Sequence, residues 1–117
     1  MPGPIPKKIK IGTQIWEVKE IPRAHNSDFV DGTYGHTMDK DNVIVIDADM
    51  PLSRKRTTLF HETLHAIRFT YAGATTPGKN STLEDWEHYF IGLYEEPFVT
   101  ILHDNPDLAN FLLAKDK

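Results

Sequence analysis

Apolar and polar residues alternate along the first part of the chain, from Lys8 to Ile21, with Gly12 and Thr13 in the middle. A period of two is typical of a half-buried β-strand, and a glycine-containing break between two such stretches indicates a hairpin. After the turn-prone segment 25–32, a short extended stretch, the polar residues 39–42 and the apolar stretch Val43–Ile46 follow. This order predicts a second hairpin.

The pattern changes to a helical period after Pro51. Ser53 is suited to cap a helix and Gly73 to end it, which predicts a helix of about 18 residues. Apolar residues at helical spacing form one stripe, and we expect that stripe to face the core. Its members are Phe60, Leu64, Ile67 and Tyr71. His61, His65 and Arg68 lie together beside it, at the border between core and solvent.

Two more helices are predicted after the loop-like segment 73–80. The first covers 81–96, is stopped or kinked by Pro97, and has Ser81 and Glu84 at the spacing of a capping box. Its expected core-facing residues are Leu83, Trp86, Phe90, Leu93 and Tyr94. The second begins near Asn105 and Pro106 and carries Leu108, Phe111 and Leu112. Strands followed by helices predict one small α+β domain over residues 1–117.

Composition narrows the class of protein. Hydrophobic residues make up 39% and charged residues 26% of the 117 residues, as in an ordinary globular domain. The formal net charge of −4 argues against nucleic acid as the main partner. The chain contains no cysteine, and we find no signal-like or membrane-spanning apolar stretch. We therefore expect a cytoplasmic protein without a membrane partner, in which only imidazole and carboxylate groups bind a metal.

The stretch FHETLH at residues 60–65 carries the clearest chemical signal. Histidines four residues apart lie on one helix face, so His61 and His65 can both reach one zinc ion. Glu62 is then within reach of a water molecule and is suited to be a general base. The pattern predicts a zinc-dependent metallopeptidase, a hydrolase of protein or peptide substrates.

A third zinc ligand has to come from outside this stretch, because catalytic zinc usually has three protein ligands. Glu84 already has a local explanation as a capping residue, whereas Glu87 lies at the edge of an apolar stripe, where an unpaired carboxylate is costly. We therefore favour Glu87, with Glu84 next. Three histidines are further candidates for this position: His88, His103 and His36.

The chain resembles a known family at these residues. VIVID before a helix with HETLHAI, a glutamate about twenty residues later and a following DNP are similar to the small zincin-type metallopeptidases of the ImmA/IrrE kind. The resemblance implies a zincin-like fold, zinc bound by His61, His65 and Glu87, and Glu62 as the catalytic base. It also implies, by analogy alone, a transcriptional repressor as substrate.

Other polar residues have weaker signals. We expect one of His36, Tyr34, His88, Tyr71 and Arg68 to stabilise the oxyanion, and we select His36 because an extended segment before the motif helix can line a cleft. Tyr34 and Tyr71 are better explained by packing, as are the two tryptophans, Trp16 and Trp86. Asp47 and Asp49 are either partners of a ligand histidine or, as we prefer, residues of a solvated strand end.

A non-catalytic zinc-containing binding or regulatory module is the alternative to an enzyme. The two differ at the fourth coordination position of the metal, which is open in a catalytic site and closed in a structural one. The presence of Glu62 favours the enzyme, because a structural site has no use for a general base.

Overall fold

A mixed four-stranded sheet comes first in the chain and three helices follow. The computed structural model describes residues 4–25, 33–71 and 76–115. Its strands are β1 (Lys8–Ile11), β2 (Gln14–Ile21), β3 (Gly35–Met38) and β4 (Val43–Asp47), and their order in the sheet is β1-β2-β4-β3. Its α-helices are α1 (Leu52–Tyr71), α2 (Leu83–Asp104) and α3 (Pro106–Leu113), and a short 3-10 helix covers Arg23–His25. The predicted α+β class is confirmed.

Both predicted hairpins are present. β1 pairs antiparallel with β2, and β3 pairs antiparallel with β4. Gly12 in the first turn has a φ of +61°, a conformation that favours glycine, and a Cβ atom there would lie 2.9 Å from the Tyr71 hydroxyl. The sequence did not predict that β2 and β4 pair in parallel, which joins the two hairpins into one mixed sheet.

The main core lies between one face of the sheet and the helices. Ile44 and Ile46 of β4 are fully buried there with Leu59 and Ile67 of α1, whereas Val43 and Val45 pack with Ile21 on the opposite face. Every residue of β4 is buried, as is usual for a strand in the middle of a sheet. Trp16 is also buried and donates its indole N–H to Thr70 Oγ1 at 3.2 Å, which confirms its packing role.

The buried face of α1 is rotated relative to the predicted stripe. Ile67 is buried as expected, but Phe60 and Leu64 are only partly buried and Tyr71 is 37% exposed. The residues of α1 that are buried are Arg56, Thr58, Leu59, Glu62, Thr63, Ala66 and Ile67. Polar members of this face have partners: Thr63 Oγ1, for example, donates to the Leu59 carbonyl at 2.7 Å. The helix begins at Leu52, so Ser53 lies inside its first turn, and the predicted end at Gly73 lies outside the described residues.

The start of α2 differs from the prediction by one residue. Thr82, not Ser81, is the N-cap, and it forms the capping box with Asp85 rather than with Glu84: the Asp85 amide donates to Thr82 Oγ1 at 3.2 Å. Ser81 and Thr82 are both good capping residues, and each has an acidic residue three positions later, so the sequence does not distinguish them. The helix also continues through Pro97 instead of ending there.

The predicted core stripe of α2 is wrong for its first half. Leu93 and, further along, Ile101 are buried, but Leu83 is 86%, Trp86 37% and Phe90 43% exposed. Trp86 is therefore not a packing anchor. The physical reason is that the contacts of α2 with the other elements lie near its C-terminal half, where Phe98 packs edge-on against Phe60 with ring centroids 5.6 Å apart.

α3 begins with Pro106 as predicted, and Leu108 and Phe111 are buried. The preceding Asn105 connects the helices to the edge strand β1. Its Oδ1 accepts the Lys10 amide at 2.7 Å, and its Nδ2 donates to the Lys10 carbonyl at 2.8 Å. Among the described residues, no helix combines the length and apolarity needed to cross a membrane.

Candidate functional site

His61 and His65 lie side by side on the exposed surface of α1, one helical turn apart. Their Nε2 atoms are 3.2 Å apart and their rings are nearly perpendicular, at 71°. Two nitrogen ligands at about 2.0–2.1 Å from a tetrahedral zinc ion are about 3.3–3.4 Å apart, so the pair fits two coordination positions. The same separation fits a hydrogen bond between one protonated and one unprotonated ring nitrogen.

Glu62 is buried between α1 and the edge strand β3, with only 6% of the residue exposed. The Thr37 hydroxyl lies 2.7 Å from Glu62 Oε1, and it is also 3.1 Å from the carbonyl oxygen of the same residue. The other carboxylate oxygen, Oε2, is 3.7 Å from His61 Nε2. Thr37 therefore fixes one oxygen of the carboxylate and leaves the second directed toward the histidine pair.

A cleft of about 340 Å³, here called the Glu62 cleft, opens beside this carboxylate. Its walls come from the start of β3, from the residues before it and from the first half of α1. The lining residues are Thr33, Tyr34, Gly35, Arg54, Thr57, Thr58, His61 and Glu62. The cleft thus joins the candidate base, one histidine of the pair and one cation, Arg54, in a single space.

Gly35 allows β3 to approach α1 closely at this cleft. A Cβ atom at this position would lie 2.9 Å from Thr58 Cγ2, 3.0 Å from the Val45 carbonyl oxygen and 3.1 Å from Glu62 Cγ. Real Cβ atoms do not tolerate contacts this short without displacement of a neighbour. The absence of a side chain at Gly35 is therefore what lets Thr37 reach Glu62.

The predicted zinc-binding group of His61, His65 and Glu87 is wrong. Within residues 4–25, 33–71 and 76–115, the structure places no group of three or more His, Cys, Asp or Glu side chains that could hold a metal ion. This finding contradicts the prediction of a metal-binding zinc metallopeptidase with a complete set of three protein ligands. His61 and His65 are placed to bind one ion, but Glu87 is not placed to be the third ligand.

The relative placement of the two long helices explains this outcome. Phe60 of α1 packs on Phe98 of α2, and Tyr71 shares a cleft with His88 and Tyr89, so the helices run in opposite directions. At a rise of 1.5 Å per residue, Glu87 lies about 16 Å along α2 from Phe98, whereas His65 lies only about 8 Å along α1 from Phe60. Glu87 is thus about 9 Å, or more than one and a half turns, beyond His65 and further still from His61, and the residue is exposed.

The remaining candidate ligands lie apart from the pair as well. His88 and Glu84 face each other on the exposed surface of α2, with Nε2 and Oε1 3.9 Å apart. His103 lies in the last turn of α2 and is exposed. None of them belongs to a group of three ligands in the part of the chain that the structure describes.

His36, the predicted oxyanion residue, lies on the opposite face of β3 from Glu62. Gly35 and Thr37 both face α1, and side chains alternate along a strand, so His36 is directed away from the cleft. Tyr34 is 38% exposed instead of packed in the hairpin, and it lines the cleft. Arg54 stands over its ring, with the guanidinium carbon 5.2 Å from the ring centroid.

Asp47, the last residue of β4, and Asp49 make structural hydrogen bonds at the strand end, as we preferred, but Asp47 is only 3% exposed, so the predicted solvated strand end is wrong for this residue. Asp47 Oδ1 accepts the Asp49 amide at 2.9 Å, and Asp47 Oδ2 accepts the Arg23 Nε–H at 3.1 Å. Asp49 in turn accepts the Arg23 amide at 3.2 Å. These hydrogen bonds fix the end of β4 and the segment after β2. None of them involves His61 or His65.

Sequence reasoning missed three residues of the site: Gly35 and Arg54, which line the cleft, and Thr37, which holds Glu62. A threonine, a glycine and an arginine in ordinary positions carry no motif, and their roles depend on which strand lies against α1. The alternation of β3 was the one available signal, since it places Gly35 and Thr37 on the same face.

Comparisons with known proteins add no relative: no family model, no curated protein and no solved structure matches the chain. The assignment of function therefore rests on the residues and geometry of the chain itself.

Proposed function

We propose that the chain is a zinc-dependent hydrolase that cleaves a peptide bond in the Glu62 cleft, with Glu62 as the general base. The observation that carries this proposal is the buried carboxylate of Glu62, fixed through Oε1 by Thr37 and directed through Oε2 toward His61. Burial of a carboxylate costs free energy, and its position beside an open cleft is typical of a catalytic group. The zincin-like identity of the fold and the cytoplasmic location belong to the same proposal.

In the reaction, Glu62 Oε2 accepts a proton from a water molecule in the cleft while the water oxygen attacks the carbonyl carbon of the scissile bond. The carbon–nitrogen bond then breaks, and Glu62 returns the proton to the leaving amine nitrogen. Thr37 keeps the carboxylate in one orientation through both transfers, because its hydroxyl occupies the other oxygen.

His61 and His65 are the residues that would hold zinc, on the basis of the 3.2 Å separation of their Nε2 atoms. The chemistry that a zinc ion held by these residues would supply is Lewis-acid polarisation of the substrate carbonyl oxygen. The proposal contains no third protein ligand, and Glu87 has no role in it.

A peptide is the substrate that the surroundings of Glu62 favour. β3 is at an edge of the described sheet and contributes Gly35 to the cleft wall. An extended peptide can add to such an edge through main-chain hydrogen bonds, which brings its carbonyl groups alongside α1. Cleavage of a transcriptional repressor is a narrower proposal that rests only on the resemblance to the ImmA/IrrE family.

Arg54 indicates which peptides the cleft prefers. Its side chain is exposed at the cleft, stands over Tyr34, and is the only cation among the lining residues of the Glu62 cleft that the structure describes. An acidic side chain of the substrate next to the scissile bond would pair with it. We therefore propose a preference for acidic peptides.

The test is cleavage of a peptide mixture by the wild-type chain and by Glu62→Gln, with zinc added to both and the products identified by mass spectrometry. Glu62→Gln keeps the size and most polar contacts of the side chain but cannot accept the proton. The proposal expects cleavage by the wild type and at least a hundredfold loss in the variant, the usual contribution of general base catalysis being about 10²–10⁴. Equal cleavage by both proteins would refute the role of Glu62.

A further inference from the structure

The first half of α2 presents a row of large apolar side chains to solvent. Leu83, Trp86, Phe90 and the partly buried Tyr94, here called the aromatic face, share one side of the helix. Leu83 is 86% and Phe90 43% exposed, whereas Leu93 and Ile101, further along the same side, are buried. The apolar side of the helix thus extends beyond the part that the core covers.

The rings of the aromatic face are already ordered against one another. Trp86 stacks on Phe90 with centroids 5.9 Å apart, and Phe90 stacks on Tyr94 at 6.4 Å. Tyr89 packs edge-on against both Trp86 and Phe90. A preordered set of aromatic side chains loses little conformational entropy when it is covered, which is a property of binding surfaces.

The charged residues of α2 in this region have one sign. Between Leu83 and Glu96, the chain contains five acidic residues and neither lysine nor arginine. The acidic residues are Glu84, Asp85, Glu87, Glu95 and Glu96, and the three that lie beside the aromatic face, Glu84, Glu87 and Glu95, are here called the acidic rim. On a helical wheel Glu84, Glu87 and Glu95 follow one edge of the aromatic face. At the far end of the face, burial raises the pKa of the Tyr94 phenol, and the charge of Arg68 of α1 opposes that shift.

The acidic rim decides which partner can cover the face. Nucleic acid and anionic membranes carry phosphate charge, which the rim repels. A second copy of the chain, paired through the same face by a two-fold axis, would bring one rim against the other. A standard dimer also needs about 800 Å² from each partner, which is more than four partly exposed side chains supply.

We propose that the aromatic face binds a cationic amphipathic helix of another protein. Apolar side chains of that helix, at helical spacing, cover Trp86 and Phe90, and its lysine or arginine residues pair with the acidic rim. A cleft of about 430 Å³ beside the face, between α2 and the end of α1, is lined by Tyr71, His88, Tyr89, Gly92, Leu93 and Pro97. It provides room for one larger side chain of the partner.

The experiment uses the full chain and two synthetic helical peptides labelled for fluorescence anisotropy. One peptide has leucine at helical spacing and lysine elsewhere, and the other has glutamate in place of every lysine. The lysine peptide should bind at least tenfold more tightly, a difference that corresponds to about 1.4 kcal/mol. Equal affinity for the two peptides would overturn the charge argument.

Two matched variants locate the site. Phe90→Ser removes an apolar side chain of the aromatic face, and Val99→Ser removes one that is 55% exposed on the other side of α2. Phe90→Ser should weaken binding of the lysine peptide about tenfold or more, and Val99→Ser should change it less than twofold. Circular dichroism checks that both variants keep their helices.

Two other results would overturn the proposal. The first is unchanged binding by Phe90→Ser, or the same change in both variants, which would mean that the peptide binds the acidic chain without specific use of the face. The second is a concentration-dependent dimer in sedimentation velocity that Phe90→Ser abolishes, which would assign the face to a second copy. Because the peptides do not require hydrolysis, failure of this proposal is separate from failure of the proposed activity.

Discussion

Replacement of Thr37 by valine tests how the candidate base is held. Valine has the shape of threonine but no hydroxyl, so Thr37→Val removes the 2.7 Å hydrogen bond to Glu62 Oε1 while the packing between β3 and α1 is kept. The carboxylate is then left buried without this donor, since the residue is only 6% exposed. A hydrogen bond to a charged group contributes about 1.5–3 kcal/mol. The variant should lose about that much free energy of unfolding at pH 7.

A double-mutant cycle isolates this interaction from the other effects of each substitution. Thr37→Val, Glu62→Ala and the double variant are unfolded in urea by circular dichroism, and the coupling free energy is taken from the four values. We expect a coupling of about 1.5–3 kcal/mol. Thr57→Val is the matched control for Thr37→Val. Thr57 is exposed on α1, the helix that carries Glu62, and its hydroxyl makes only a 3.4 Å contact with the Ser53 carbonyl. A coupling below about 0.5 kcal/mol, the level at which independent sites add, would refute the reasoning.

Three further predictions concern the cleft and the fold. Gly35→Ala should destabilise the chain by about 1–3 kcal/mol through overpacking against Thr58 and Glu62, measured as a lower midpoint of thermal unfolding. The control Gly92→Ala, where an added Cβ meets nothing within 4 Å, should instead raise the midpoint. The opposite order of the two midpoints would contradict the close approach of β3 to α1. Asn105→Ala should cost about 2–3 kcal/mol in urea unfolding, because both hydrogen bonds to the β1 backbone are lost, and an unchanged stability would exclude that link. Arg54→Gln should lower the ratio of kcat/KM for a glutamate-containing peptide over its glutamine analogue by about twofold to fivefold, as for an exposed ion pair, and an unchanged ratio would exclude Arg54 as the specificity residue.

Local patterns predicted the elements well, and the reason is physical. The two hairpins depend on alternation and on turn residues within about a dozen positions, and both formed. The pairing of His61 and His65 depends only on the geometry of one helix, and their ring nitrogens are 3.2 Å apart. Interactions that span a few residues can be inferred from one stretch of sequence.

Relations between elements were not predicted, because they depend on contacts distant in sequence. The parallel pairing of β2 with β4 joins two strands that are separated along the chain by β3. The buried face of α1 includes Glu62, a residue that a helical wheel assigns to the polar side, because Thr37 of β3 satisfies its carboxylate. Glu87 was placed by the pattern of α2 alone, whereas its distance from the histidine pair depends on how α1 and α2 pack.

The aromatic face also shows that a helical wheel cannot predict contacts between elements. An apolar stripe on a helical wheel predicts burial, and for Leu93 this was correct. The wheel contains no information about where the neighbouring elements end, so it also assigned Trp86 and Phe90 to the core. The exposed part of the stripe became evident only from the structure.

Cleavage of an acidic peptide mixture by the wild type and by Glu62→Gln, with zinc added and products identified by mass spectrometry, tests most directly whether Glu62 is the catalytic base. We predict defined peptide products from the wild type and a loss of at least about a hundredfold in the variant, with the fold unchanged by circular dichroism. No cleavage by the folded wild type, or equal cleavage by both proteins, would contradict the assignment of Glu62 as the catalytic base.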